Sequence, residues 1–180
     1  RLPPVLKRFV QAHPAVRLDI DFQESEAVCA AVADGTLEVG IVTLPLNPPE
    51  TLELRRVWND PLSVVVAPHH PLGLRKRIRL TDLSNHPAVL PPRNTFTRQL
   101  IEAAAAEQNL HIDCALSTHY LETIKMLVAV GLGWSLLPDT MLDQSLRRLS
   151  VGGLAPQRSL GVVRHPDRTL SNAARALIEL

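Results

Sequence analysis

Apolar positions recur along the chain with two different periods. Leu2, Val5, Leu6, Phe9 and Val10 fall on one side of a helix, with Lys7, Arg8 and Gln11 opposite. Pro3 and Pro4 suit its first turn, where a missing N–H costs little, and His13-Pro14 ends it. Val16, Leu18, Ile20 and Phe22 then alternate with Arg17, Asp19 and Asp21, the two-residue period of a strand with one wet face. Ser25 is placed to cap a helix carrying Val28, Ala31 and Val32, stopped at Asp34-Gly35. Residues 38–42 read as a short buried strand. Helix, strand, helix, strand is the rhythm of a parallel α/β sheet.

Residues 52–58 and 62–67 predict two strands around a turn at Asn59-Asp60-Pro61. After an irregular stretch a second series follows. It reads as strand 88–90, alanine-rich helix 96–109, strand 112–116, helix 120–130 and strand 133–137. A short helix near 139–144, strands near 147–151 and 158–164, and a helix from Thr169 complete it. Two such series predict two lobes. Ligands in these folds bind beyond the carboxyl ends of the strands, where helix N-termini offer N–H groups to anions.

Composition narrows this picture. The 180 residues are 46% hydrophobic and 21% charged, enough apolar surface for a folded core rather than a disordered tail. Aromatics are only 3%, which argues against stacking on single-stranded nucleic acid. Lys and Arg number 19 against 18 Asp and Glu, so no bulk basic excess marks a phosphate-gripping surface. The nearest approach is Leu74-Arg75-Lys76-Arg77-Ile78-Arg79, read as a solvated loop or as a partner or anion contact. Cys29 and Cys114 each sit among apolar neighbours. They read as two buried small hydrophobes in a reducing compartment, with a disulfide or redox switch as the other reading. No apolar run reaches the roughly 18–20 residues of a membrane span, and no signal-peptide pattern opens the chain. Both ends read as helices in progress, so the chain is expected to be part of a longer protein.

Two strand-to-helix junctions could carry chemistry. Pro91-Pro92-Arg93-Asn94-Thr95-Phe96-Thr97-Arg98 gathers hydroxyls, an amide and two guanidiniums at a helix mouth, equipment suited to a carboxylate. Ordinary capping by Asn94 or Thr95, with Arg98 solvated, explains the same residues. Ser117-Thr118-His119-Tyr120 occupies the matching place in the next unit. The helix from Tyr120 has one apolar stripe in Leu121, Ile124, Leu127 and Val128, and a second in Met126 and Val130. Such a helix is either sandwiched in the core or meets another subunit. Adjacent His69 and His70 do not make a metal pair. No nucleophile elbow, zinc-protease motif or phosphate-cradling glycine loop appears. Val130-Gly131-Leu132-Gly133 lies after a helix and before a strand, the wrong order for a dinucleotide loop, and reads as a helix C-cap.

The order of segments resembles the effector-binding domain of bacterial LysR-type transcriptional regulators over essentially the whole chain. Four stretches carry the resemblance. They are Leu2-Pro3-Pro4-Val5-Leu6-Lys7-Arg8-Phe9 with His13-Pro14-Ala15-Val16; Gly35-Thr36-Leu37-Glu38-Val39-Gly40-Ile41-Val42; residues 61–71; and Gly131-Leu132-Gly133-Trp134-Ser135-Leu136-Leu137-Pro138 behind Thr123-Ile124-Lys125-Met126-Leu127-Val128. Glu38 stands where the family commonly has Asp.

The resemblance implies an α/β fold of two Rossmann-like lobes joined by two crossing strands, similar to type 2 periplasmic binding proteins. Lobe one would be residues 1–65 plus 164–180 and lobe two residues 66–163. A small anionic metabolite would bind between them. Thr95 and Thr97, with Arg93, Asn94 and Phe96 beside them, would be effector contacts of lobe two. Thr118 and His119 would line the neighbouring turn, and Ile41 and Thr43 the lobe-one side. Leu2, Val5, Leu6 and Phe9 would meet Met126 and Val130 across an antiparallel homodimer, alone or within a homotetramer. The family's winged helix-turn-helix domain and the first strand of lobe one have no counterpart in these residues, so DNA would be reached only through that missing domain. A cytoplasmic, non-enzymatic sensor is expected, with no cofactor, metal or membrane contact. The alternative is a solute-binding protein serving a transporter. An enzyme on such a scaffold would have to use Asp139, His119 or Tyr120, which form no evident triad.

Overall fold

The structure, a computed structural model, describes residues 2–75 and 77–180. The elements are α1 (Leu2–Ala12), α2 (Ser25–Asp34), β1 (Val39–Thr43), β2 (Glu53–Val66), a 3₁₀ turn (Pro71–Leu74), α3 (Leu80–Leu83) and β3 (Ala88–Leu90). They continue as α4 (Phe96–Glu107), β4 (Cys114–Ser117), α5 (Leu121–Ala129), β5 (Ser135–Pro138), a 3₁₀ turn (Asp139–Met141), β6 (Arg147–Arg148), β7 (Gln157–Arg164) and α6 (Asn172–Ile178).

β7 lies antiparallel between β1 and the first part of β2, so the ladder of β1 is not the parallel one its helix–strand rhythm predicts. From Leu62 onward β2 pairs instead with β5 and β6. The expected turn at Asn59-Asp60-Pro61 is therefore absent, and β2 is one strand of 14 residues. Pro61 has no N–H to donate, and it stands where the ladder changes partners, so little is lost there. The next N–H, of Leu62, goes to the Pro156 carbonyl at 3.0 Å. β3 and β4 pair in parallel, and a parallel bridge from Ala88 to Trp134 joins them to the approach to β5.

The strand expected over residues 16–22 has no regular structure and forms no ladder among the described residues. Its apolar side is only partly covered: Val16 and Leu18 are half-buried, while Ile20 is 45% and Phe22 85% exposed. Alternation describes what a neighbour would require of the segment; it does not supply the neighbour. Ser25 is not the cap of α2. Glu24 holds that position, and the Ser25 hydroxyl accepts the Thr43 N–H at 2.9 Å.

Each lobe has its own core. In the first, Val28, Cys29 and Val32 of α2 meet Val42 of β1 and Val163 of β7. In the second, Val64 and Val66 of β2 pack with Ile101, Trp134 and Leu136, while Val65 packs with Ile124, Val128 and Leu137. The sheet is thus covered on both faces, by α4 on one and α5 on the other. That is why β2 ends in an unbroken apolar run. α5 closes as expected: Gly131 (φ +93°) donates to Val128 O and Leu132 to Leu127 O, the paired bonds of a Schellman cap. At Gly133 a Cβ would lie 2.3 Å from the Pro87 carbonyl oxygen, so no side chain fits. Trp134, fully buried next to it, donates its indole N–H to Leu83 O and His86 O.

Met126 and Val130 are 55% and 63% exposed, so the second stripe of α5 faces outward and the helix is not sandwiched. On α1, Leu2, Val5 and Leu6 are half-buried. Phe9 is fully buried within the chain beside the His13 ring, which corrects its assignment to an intersubunit face. Glu38 accepts from the backbone N–H and hydroxyl of Ser171, which caps α6, and so ties that helix to the entry of β1. Neither cysteine is in a disulfide. Cys29 is buried, and burial with the nearby Glu26 charge pushes its thiol pKa up, whereas Cys114 is only half-buried.

Candidate ligand-binding cleft

A concavity of about 570 Å³ opens between the lobes. Lobe one contributes residues 22–27, running into the first turn of α2, and Thr43 at the end of β1. Lobe two contributes Pro91, Thr95 and Thr97 around the start of α4, and His119, Tyr120 and Leu121 at the start of α5. Arg158, on β7, completes the wall. Two helix N-termini thus reach the same space from adjacent strand ends, the arrangement that collects anions in α/β sheets.

The hydroxyls differ in what they have left to give. Thr95 caps α4: its Oγ1 accepts the Arg98 N–H at 3.2 Å and donates to Pro92 O at 2.8 Å. Thr97 is 9% exposed, lines the cleft, and its hydroxyl has no hydrogen-bond partner among the described residues. Thr95 therefore follows the capping reading, whereas the Thr97 hydroxyl has no such duty.

The two guanidiniums expected at the helix mouth point elsewhere. Arg93 is exposed and 3.9 Å from Glu102. Arg98 is buried rather than solvated, donating to Glu102 at 2.9 Å, Pro91 O at 3.0 Å and Cys114 Sγ at 3.2 Å. Its role is to bind α4 to β4 and to the end of β3. The cleft's guanidinium is Arg158, held by Asp60 of β2 through Nη2 at 2.5 Å and Nε at 2.9 Å. These two residues face each other in the ladder of the crossing strands. Nothing local in the sequence marks them, because the pairing joins segments 98 positions apart.

Two carboxylates span the cleft. Glu26 of α2 accepts the N–H of Phe96, the first residue of α4. Glu24 lies 2.8 Å from Nδ1 of His119. Both come from the first lobe and reach the second, Glu26 on a backbone N–H and Glu24 beside an imidazole. Neither was expected, since a carboxylate before a helix reads equally well as ordinary favourable charge at its N-terminus.

Of the expected contacts, Thr43, Thr95, Thr97 and His119 line the cleft, and Phe96 joins it through its backbone N–H while its ring packs on the lobe-one core. Arg93, Asn94, Thr118 and Ile41 do not line it. Arg93 and Asn94 are exposed before the helix starts. The Thr118 hydroxyl turns back toward Tyr120 N–H, and Ile41, 40% exposed, lies on the β1 face opposite Val42. Phe22, Gln23, Ser25, Tyr120, Leu121 and Pro91 line the space in their stead.

Comparisons with known proteins agree with this geometry. The LysR substrate binding domain family matches residues 1–180. An uncharacterized HTH-type transcriptional regulator, YeiE of Escherichia coli K12, is 27% identical over 99% of this chain. The chain spans 62% of that relative's length. The effector binding domain of QuiR in complex with shikimate superposes with a TM-score of 0.88 at 20% identity, covering 99% of this chain and 87% of that one. The regulatory domain of CcmR from Synechocystis PCC6803, in complex with 2-PG, gives 0.85 at 22% identity, covering 99% and 88%. The fold is the α/β architecture of two Rossmann-like lobes joined by crossing strands, as in type 2 periplasmic binding proteins. With its full length matched to one family, the chain belongs to the LysR substrate binding domain family.

Proposed function

We propose that this chain is the ligand-sensing and oligomerising part of a LysR-type transcriptional regulator. It binds a small anionic metabolite between lobes divided as residues 1–65 with 164–180 and residues 66–163. The observation that carries this reading is the meeting of the unpartnered Thr97 hydroxyl, Arg158 and the α4 N-terminus in one concavity reached from both lobes. Solved relatives of the same fold are described with shikimate and with 2-PG, which supports a small acidic ligand.

The chain's own residues suggest how sensing works. From lobe one, Glu26 accepts the Phe96 N–H and Glu24 stands beside the His119 ring, two positions on lobe two that a ligand's carboxylate would use. A ligand that takes these positions replaces a contact between lobes by a contact to itself. It thereby biases their relative setting, and it does so only by its differential affinity for the two settings. That change would reach attached DNA-binding domains through a homodimer, within a homotetramer where one forms, built on Leu2, Val5 and Leu6 of α1 and Met126 and Val130 of α5. The reading is of a binding module working in the cytoplasm, with no reaction assigned to it.

A thermal-shift screen against small carboxylates, with neutral and phosphorylated controls, tests the reading. A ligand at about 100 times its dissociation constant adds roughly 2.7 kcal/mol, or on the order of 5–10 °C for a domain of this size. The expected result is a shift from one chemical class that Thr97→Val reduces while leaving the unliganded melting midpoint in place. A shift identical in wild type and Thr97→Val removes the cleft assignment.

A further inference from the structure

We propose that lobe two carries a second anion site, apart from the cleft, for a small ligand bearing two linked phosphate groups. The site is a concavity of about 740 Å³ whose polar wall is Arg75, Arg77, Arg79, Thr81, Asp82 and Ser150. It shares no residue with the interlobe cleft.

Residues 77–79 are held by the fold through Ile78. Ile78 forms a parallel bridge with Val151 and packs on the lobe-two core, which keeps the backbone around it extended. Arg77 and Arg79 flank Ile78 and are exposed while it is half-buried, as a two-residue period requires. Their Cα atoms are then about 7 Å apart, close enough for two long side chains to close on one ligand.

The charge is only partly compensated. Asp82 is the one carboxylate in the wall. Its Oδ1 accepts from Arg75 Nη1 at 2.8 Å and its Oδ2 from the Arg79 backbone N–H at 2.8 Å, so both oxygens are used. Among the described residues neither the Arg77 nor the Arg79 guanidinium makes an ion pair within 4 Å of a carboxylate, although the Arg79 charge also acts on Asp82. Three arginines against one aspartate leave a surplus of two positive charges in the wall, in a chain whose net charge is only +1. A general basic excess therefore does not explain the cluster.

Guanidinium forks bind phosphate oxygens two at a time, and the Thr81 and Ser150 hydroxyls add neutral donors at the rim. The concave shape and volume fall in the range of small-molecule sites, roughly 300–1,000 Å³. A duplex presents its phosphates on a convex surface and fits such a hollow less well.

Inorganic pyrophosphate is the probe. It is titrated calorimetrically into the chain at an ionic strength fixed with sodium chloride, with sodium sulfate as the single-anion control. The expected result is one site that binds pyrophosphate more tightly than sulfate, weakened at least about tenfold in Arg77→Gln/Arg79→Gln, a loss of the size expected for charge-assisted bonds, and unchanged in Thr97→Val. Both arginines are exposed, and a matching melting curve confirms that the double variant folds. No binding beyond the chloride background overturns the proposal, as does binding the arginine variant leaves intact. Loss in Thr97→Val alone places pyrophosphate in the cleft and also overturns it. A short labelled duplex is tested in parallel. Arginine-dependent duplex binding without pyrophosphate binding assigns the patch to a nucleic-acid backbone and overturns the small-ligand site.

Discussion

His70 is buried at the start of the first 3₁₀ turn, where its Nδ1 accepts the Leu72 N–H at 3.2 Å and its ring meets His86 edge-on at 4.9 Å. Burial above all, then the neighbouring His86 and His69, pushes its pKa below the ordinary 6.5. The fold therefore uses the neutral ring. An unfolded chain takes up the proton near its ordinary pKa, before the folded one does. The contribution is thus complete above about pH 6.5 and is lost as pH falls toward the depressed folded value. The melting midpoint is expected to drop between about pH 7 and pH 5.5. His70→Asn, whose side-chain oxygen can accept the same N–H without titrating, should flatten that slope. An identical slope in the variant assigns the pH dependence to other groups. At this scale the sequence was least informative. Arg98 and Arg158 look alike in the chain, yet one is a buried tie between α4 and β4 and the other lines the cleft. Only partners distant in sequence distinguish them.

At the scale of elements the cleft is made by α2 meeting the N-terminus of α4, with Glu26 on the Phe96 N–H. Glu26→Gln keeps an acceptor there and removes the charge. If a ligand's carboxylate competes for this position, the variant should bind the carboxylate found in the thermal-shift screen about two- to fivefold more tightly, the equivalent of the 0.3–1 kcal/mol that a charge at a helix N-terminus contributes. Isothermal titration measures it. Weaker binding in Glu26→Gln would instead make Glu26 a contact to the ligand and sink the competition. Element types with local causes were readable in advance: the Gly131 cap, the short buried strand after it and the alanine-rich α4. Elements defined by a neighbour were not. Residues 16–22 alternate like a strand without a ladder, and β2 runs through Asn59-Asp60-Pro61 because β7 continues alongside it.

For the whole molecule, the two-lobed plan was readable because two α/β series and four ordered motifs span the chain, whereas the cleft's carboxylates and Arg158 became visible only once the crossing strands had brought their segments together. The same distinction bears on assembly. Phe9 follows the apolar pattern of α1 yet turns inward, whereas Met126 and Val130 stay exposed on a helix whose other stripe is already buried. A stable dimer buries on the order of 800 Å² per partner, more than these two side chains supply, so the half-buried Leu2, Val5 and Leu6 of α1 would have to contribute. Met126→Glu/Val130→Glu tests this by placing charge at the centre of the proposed contact. In sedimentation equilibrium the parent chain is expected to be dimeric and the variant monomeric. Because both positions are exposed within one chain, the secondary structure of the variant should remain intact, and circular dichroism checks that. A parent chain that is monomeric at every accessible concentration, or a variant that remains fully dimeric, removes α5 from the interface.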